Sequence, residues 1–355
     1  MSPTVYRIDP VLDPRWPAFL TLHANASVFH TPEWLTALRR TYRYQSVAFT
    51  TSAPGEELKN GMVFCRVQSW LMGCRMVSLP FSDHCQPLVD NPDDLRLLVS
   101  YLKEQLDGGK WKCIELRPLV SSGSSLETQP YFSHNEEFHF HKLDLRPDLD
   151  AVFRNFHKSC VQRKIQRGER EHLEYEAGRS ERILTKFYDL LLLTRRRHQL
   201  PPQPMAWFRN LLACLGDKVT VRIVSKDGQP IASILTLFYK NSLVYKYGCS
   251  DARFHNLGGM PFLFWRTIQE GKELGAQEFD LGRSAADNPG LVAFKDHLGA
   301  DCSKLYYCRA SQDGSGNLTA VGPADWRLRL VKGAFARMPD PLLKIAGNLL
   351  YRHVG

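Results

Sequence analysis

The chain has 355 residues, enough for two domains with cores of their own, and 43% hydrophobic with 23% charged residues describes an ordinary globular protein. Lys and Arg outnumber Asp and Glu by 46 to 37, and the net charge of +9 favours an anionic partner such as a phosphate, a nucleic acid or an acidic membrane face, with plain surface solubility as the alternative. No apolar run approaches the roughly 20 residues of a membrane span and the N-terminus lacks a signal-peptide core, while nine scattered cysteines without a C-x-x-C pair argue for a reducing cytoplasm and against a disulfide framework or a zinc site.

In chain order, Thr31-Pro32-Glu33 predicts a helix start: a capping hydroxyl, proline in the first turn and an early acid. Strands are expected over Val47 to Thr51, Met62 to Trp70 and Met76 to Leu79. The following loop holds polar groups between prolines, and Asp83 and His84 there are candidates for touching an acceptor; a turn acid and a surface histidine are the plainer reading. A helix over Pro92 to Leu106, a strand over Trp111 to Leu116, a connection over Gly123 to Gln129 and an alternating strand over Phe138 to Leu145 complete the first half.

From Pro147 helices are expected over Asp148 to Phe156 and Ser159 to Arg170, the second rich in cations, Arg163 among them. A short strand, Leu173 to Glu176, precedes a long amphipathic helix over Glu181 to Leu200, ending in Arg195-Arg196-Arg197. Those arginines suit a helix C-terminus and could equally widen a basic surface. A helix over Met205 to Leu215 leads to a hairpin, Val219 to Ser225 and Ile231 to Tyr239, turned by Asp227-Gly228. Beyond a last strand, Lys304 to Cys308, a Gly- and Ser-rich linker (Ser311 to Asn317) leads to apolar segments, Trp326 to Val331 and Pro341 to Val354, studded with Arg and Lys. Such a tail docks on its own domain or lies on an anionic membrane surface.

The organising stretch is Leu243 to Ala300. An apolar strand, Leu243 to Tyr247, closes at Gly248; a polar loop carries Gly258-Gly259; a helix opens at Pro261; and a second strand, Gln277 to Leu281, ends at Gly282. This is one βαβ unit, whose ligands gather at the carboxyl ends of its strands. Gly258 and Gly259 stand where a helix N-terminus can hold a phosphate, or where a tight turn simply enters a packed helix. Neither a Ser-His-Asp or Cys-His constellation nor a Walker or dinucleotide fingerprint occurs.

The ordered series Tyr247-Gly248, Phe279-Asp280-Leu281-Gly282, Gly290-Leu291-Val292-Ala293-Phe294-Lys295 and Leu298-Gly299-Ala300 resembles the FemAB-like branch of the GNAT acyltransferase superfamily. The resemblance implies an α/β (α+β) fold of two tandem GNAT-like domains, each a mixed twisted sheet flanked by helices. The domains would cover residues 1–145 and 146–310, with a linker and basic amphipathic tail over 311–355. It implies transfer of an acyl or aminoacyl group to an amine of a cell-envelope or polysaccharide-related precursor, small or lipid-linked. No tightly bound cofactor and no metal is implied; the donor is acyl-CoA or another acyl thioester, or aminoacyl-tRNA. The loop His255 to Met260 stands where GNAT enzymes carry R/Q-x-x-G-x-G/A, and its His and Met ends weigh against coenzyme A. The lack of a long charged coiled-coil insertion weighs against tRNA.

Lys295 is the first catalytic candidate, matching the lysine that polarises the donor carbonyl or holds its phosphate end in FemAB-type enzymes. Asp280 is a candidate base if burial raises its pKa, or else orients Arg283 or caps the loop; Tyr247, with Tyr245 and His255 as alternatives, is a candidate for proton transfer. Gly248, Cys249, His255, Gly258, Gly259 and Gly282 are candidates for holding the donor, and Arg163 and Arg283 for phosphate or substrate. A rival reading is a catalytically silent GNAT-like module binding an anionic polymer or membrane. Both readings place the protein in the cytoplasm, with the tail as a contact to the inner membrane face.

Overall fold

A computed structural model describes residues 4–70, 73–119, 132–312, 335 and 338–354. The connection expected over Gly123 to Gln129 and the tail segment Trp326 to Val331 lie outside the described residues, as does most of the expected linker. The chain forms two compact units: residues 1–138, 304–320 and 349–355 belong to unit 1, residues 139–303 and 321–348 to unit 2. The sequence expectation places boundaries after residues 145 and 310; the chain changes unit at 138/139, 303/304, 320/321 and 348/349.

Unit 1 contains β1 (Tyr6–Ile8), α1 (Arg15–Leu22), α2 (Pro32–Tyr42), β2 (Gln45–Thr50), β3 (Met62–Ser69), β4 (Gly73–Ser78), α3 (Pro92–Asp107) and β5 (Cys113–Leu116). β1 and α1, which no periodicity signals, are additions to the sequence reading. The Thr31 side chain caps α2 by accepting from the Trp34 N–H, as its sequence demands. Strands run in the order β1-β2-β3-β4-β5, followed by β12 (Asp301–Ser311), and only β4 and β5 pair in parallel. Val47, Phe49, Phe64, Leu98, Leu102, Trp111 and Ile114 fill the core between this sheet and α3.

Unit 2 holds α4 (Leu149–Asn155), α5 (Arg163–Arg170), β7 (Glu174–Gly178), α6 (Glu181–Arg197), α7 (Met205–Leu215), β8 (Val219–Lys226), β9 (Gln229–Tyr239), β10 (Ser242–Ser250), α8 (Gly259–Glu273), β11 (Glu278–Ala285) and α9 (Pro289–His297). Its sheet runs β11-β10-β9-β8-β7, flanked at β11 by β6 (Ser133–Asp144), and β10 with β11 is the parallel pair. The expected hairpin turns at Asp227 (φ 50°) and Gly228 (φ 74°). Of the boundaries that differ from expectation, two shape the site: β10 runs through Gly248 to Ser250, and β11 through Gly282 to Ala285. Both glycines lie inside strands that continue past them, so glycine there does not punctuate. The expected helix over Ser159 to Arg170 is a π-helical turn, Lys158–Gln162, leading into α5.

Leu263, Phe264, Ile268, Phe279 and Leu281 pack at the centre of unit 2, and α8 crosses from β10 to β11 above them. At about 25 cal/mol per Å² of apolar surface, burying such a side chain contributes roughly 1.5–3 kcal/mol, which fixes the crossover and so the ends of both strands. The C-terminal helix α10 (Asp340–Val354) closes the described chain.

Candidate functional site

The parallel strands β10 and β11 pair only at Ser242 with Glu278, Leu243 with Phe279 and Val244 with Asp280. Beyond that point both strands continue, β10 to Ser250 and β11 to Ala285, without pairing to each other among the described residues. β9 still pairs with β10 as far as Ser250, with a bulge between Tyr245 and Tyr247. The parting therefore frees the β11-facing edge of β10, where alternate backbone N–H and C=O groups have lost their ladder partners.

The bulge decides which tyrosine reaches this edge. In an unbroken strand Tyr245 and Tyr247 would share a face. Instead Tyr245 packs on Phe264 of α8, and its hydroxyl lies over Gly248, where a Cβ would come within 1.9 Å of it. Gly248 is thus required by a close side-chain approach. Tyr247, the sequence candidate, points toward α7: its hydroxyl accepts from Trp207 Nε1 at 2.8 Å and its ring meets Phe208 edge-on. Sequence periodicity alone could not distinguish the two. Cys249 is buried as well; burial raises its thiol pKa, and Sγ faces the carbonyls of Phe187 and Ser233, so only its backbone is available to a ligand.

The free end of β11 is held from below. Lys295 is 1% exposed and its Nζ donates to the carbonyls of Gly282 at 2.8 Å and Arg283 at 3.2 Å. α9 brings it there, started by Asn288, whose side chain accepts from the Leu291 N–H, and by Pro289. Asp280 is 3% exposed, and its Oδ1 accepts from the Gly282 N–H at 2.7 Å. The cap role weighed for Asp280 is therefore realised. Gly282 takes φ 70°, a left-handed turn that a side chain would strain. Arg283 is half-buried beside it.

A cationic rim surrounds the α8 N-terminus. Gly258 has φ 79° and a Cβ there would sit 2.3 Å from the Lys164 carbonyl, so α5 packs directly on this turn. Gly259 begins α8 with no acid in its first turn. Burial lowers the His255 pKa, helped by the charges of Arg197 and Lys164 nearby, and His255 Nε2 lies 2.9 Å from Ser250 Oγ. Arg197 donates to the Ser250 carbonyl at 3.2 Å, tying the end of α6 to the end of β10. Arg163, at the start of α5, is exposed, with no side-chain partner among the described residues. First-turn N–H groups, the helix dipole and these cations together make a site for a phosphate. The sequence reading has Lys164 in a basic helix and Arg197 as a helix-end cation or part of a basic surface; that the two converge on this turn is set by packing alone, because they come from separate helices.

Asp83 and His84 belong to unit 1. The Asp83 carbonyl accepts from Tyr307 Oη at 2.9 Å, and His84 is 5% exposed with its ring edge-on to Phe29. The pair is built into that unit's packing, and the surface histidine of the sequence expectation is a buried one.

Residues 155–295 match the family model of the acetyltransferase (GNAT) domain. No curated protein sequence matches the chain. Among solved structures, the crystal structure of FemX is 14% identical and aligns over 85% of this chain and 96% of its own with a TM-score of 0.67. L-PGS from Bacillus licheniformis is 14% identical over 92% of this chain and 98% of that one, with a TM-score of 0.55. A tandem GNAT protein from the clavulanic acid biosynthesis pathway is 12% identical over 91% and 100%, with a TM-score of 0.54. At these identities the likeness is one of fold, and it bears out the tandem, mixed-sheet architecture.

Proposed function

We infer, from the premise that this chain carries a GNAT-type acyltransferase domain over residues 155–295 within a FemAB-like fold, that it moves an acyl or aminoacyl group from a phosphate-bearing activated donor to an amine. The observation that carries the reading is the parting of β10 from β11 after Val244 and Asp280, with the cationic α8 N-terminus beside it. The donor, acyl-CoA or aminoacyl-tRNA, lays its phosphates on Gly258, Gly259, Lys164 and Arg197, and Arg163 extends that surface. Its carbonyl oxygen takes N–H groups from the vacated edge of β10, which are aimed before the charge develops.

The acceptor amine, deprotonated, attacks the carbonyl carbon directly. A C–N bond forms, the C–S or C–O bond to the donor breaks, and the amine's second proton leaves to solvent. Tyr245, its hydroxyl over Gly248, protonates the leaving group and takes its proton back from solvent. Lys295 acts as a positioning residue: by gripping Gly282 and Arg283 it keeps β11 apart from β10, and its charge stays within the site's low-dielectric wall. Asp280 fixes the same turn through Gly282.

The acceptor is an amine of a cell-envelope or polysaccharide precursor, in keeping with the fold shared with FemX and L-PGS. α10 supports a lipid-linked one. Leu342, Ile345 and Leu349 are exposed at helical spacing, next to Lys344 and Arg352, a face suited to an anionic membrane surface. Among the described residues no helix is long and apolar enough to cross a membrane.

The test is to incubate the chain with acyl-CoA thioesters and with aminoacyl-tRNAs, each against amine acceptors, and to read products by mass spectrometry. Product with either donor supports the reading and selects the donor. Tight, salt-sensitive binding with no product from any donor overturns it in favour of a silent binding module.

A further inference from the structure

Behind α9 lies a cluster that the transfer chemistry does not use. His141 on β6 has a fully buried side chain; its Nε2 stands 3.0 Å from Asp296 Oδ1, at the last turn of α9. Cys302, exposed at the start of β12, joins them, and one ligand atom from each of His141, Asp296 and Cys302 lies within 4.8 Å of the others. Cys302 Sγ is in turn 3.6 Å from Nδ1 of His139, two residues before His141 on the same strand face. Among the described residues, His141 Nδ1 is buried without a hydrogen-bond partner.

We propose that His141, Asp296 and Cys302 bind a divalent transition metal of the zinc class, and that His139, beside Cys302 but outside that mutually close trio, turns in as the fourth donor. Tetrahedral zinc with Zn–N near 2.0 Å and Zn–S near 2.3 Å requires ligand separations of roughly 3.3 Å between N and O and roughly 3.5 Å between N and S. The separations of 3.0 Å and 3.6 Å already approach both. Imidazole, thiolate and carboxylate together select zinc or its neighbours over calcium and magnesium, which prefer all-oxygen sites. A simple His–Asp ion pair at the α9 C-terminus accounts for two of the four groups, and leaves the thiol and second imidazole beside it unexplained.

Lys295 lies close enough to act on both His141 and Cys302, and its ammonium opposes a bound cation; burial and Asp296 raise the Cys302 thiol pKa and Lys295 only partly offsets them, so the metal itself must displace the thiol proton. Asp296 supplies the compensating negative charge. Cysteine spacing carries no zinc signal because the donors come from β6, α9 and β12, which only the fold brings together. A metal would clamp these three elements and hold α9, and with it the Lys295 that precedes Asp296, against β11. A second group, His157, Cys160 and His297, is less suited, because His157 Nδ1 already accepts from the Cys160 N–H at 3.2 Å.

The experiment titrates the metal-stripped full chain with cobalt(II), followed by zinc displacement, and reads absorption and melting temperature without any activity assay. The expected result is one cobalt per chain with a thiolate-to-cobalt charge-transfer band, bleached by zinc, and a zinc-dependent rise in melting temperature. Cys302→Ser abolishes the band, His141→Ala weakens binding at least tenfold, and Cys160→Ser changes neither. Absence of the band in the unaltered chain, its survival in Cys302→Ser, or its loss in Cys160→Ser overturns the proposal. Cys302 is exposed, so its serine variant tests binding without disturbing a core.

Discussion

In unit 1 the parallel strands β4 and β5 stay paired from Arg75 with Cys113 to Ser78 with Leu116, the last residue of each strand. In unit 2 the parallel strands β10 and β11 pair over three residues and then separate while both run on. The strands of the two units otherwise follow one plan: an antiparallel set, a helical crossover and a parallel partner. What closes unit 1 is a buried arginine. Arg117, just past β5, donates to the carbonyls of Leu79 at 2.7 Å and Ser82 at 3.1 Å and is neutralised by Glu115, which also receives Arg309. Burial opposes ionisation of Glu115, yet the two guanidinium charges hold its pKa down at about 2. The crossover helices differ in the same sense. α3 begins Asn91-Pro92-Asp93-Asp94, whose acids repel an anion, whereas α8 begins with two glycines amid cations. One plan thus gives a bolted sheet in unit 1 and a parted strand pair in unit 2.

This contrast can be broken from either side, and the largest effect is expected at Lys295. Lys295→Met should lower turnover by at least about 100-fold, and because it strips two buried carbonyls of their donor it should also cost about 1–3 kcal/mol of stability. Steady-state kinetics alongside thermal melting checks both; near-normal turnover would remove Lys295 from the site. On the other side, Glu115→Gln leaves Arg117 and Arg309 without their counter-charge and should destabilise the protein by about 3–5 kcal/mol while donor affinity is preserved. Urea unfolding with a donor-binding assay reads the two separately, and a parallel loss of affinity would contradict the division of labour.

Acid should also act on unit 1. Burial lowers the His30 pKa from 6.5 to about 4, with the Gln86 carbonyl partly opposing the shift. The folded pKa lies below the unfolded one, so the unfolded chain gains the proton first. Stability is complete above about pH 6.5 and falls on acidification towards pH 4, by on the order of 3 kcal/mol. Replacing His30 with Gln should flatten the dependence of melting temperature on pH in that window; an unchanged slope would rule this group out.

Smaller effects sharpen the picture of the slot. Lys164→Glu or Arg197→Glu should raise the donor KM about tenfold with kcat little changed, and the difference should shrink in high salt. An unaltered KM would move the donor phosphates elsewhere. Asp280→Asn keeps an oxygen that can accept from Gly282, so kcat should fall by less than about tenfold; a working base would lose about 10²–10⁴. The pH–rate profile of this variant separates the outcomes.

Much of this contrast was legible in the chain. The Asp227-Gly228 hairpin, the βαβ order and the run from Phe279 to Lys295 each write a local rule into sequence, and the structure keeps all three. Gly248 and Gly282 looked like strand ends because glycine usually punctuates; here they serve close approach and a left-handed turn inside continuing strands. The choice between Tyr245 and Tyr247 hangs on a bulge set by pairing with β9, which periodicity does not encode. Lys164 and Arg197 meet only through packing of α5 and α6 on neighbouring chain ends, and His141 meets Asp296 across many residues. Long-range convergence of this kind leaves no spacing to read.

The most direct test is amide hydrogen exchange with and without a non-hydrolysable acyl-CoA analogue or a stable aminoacyl-tRNA mimic. Protection is predicted along Tyr245 to Ser250 of β10 and at Gly258 to Met260, with Met76 to Ser78 of β4 unchanged. Protection confined to unit 1, or none at the parted edge of β10 with either donor, would contradict the claim that the separated strands receive the acyl donor.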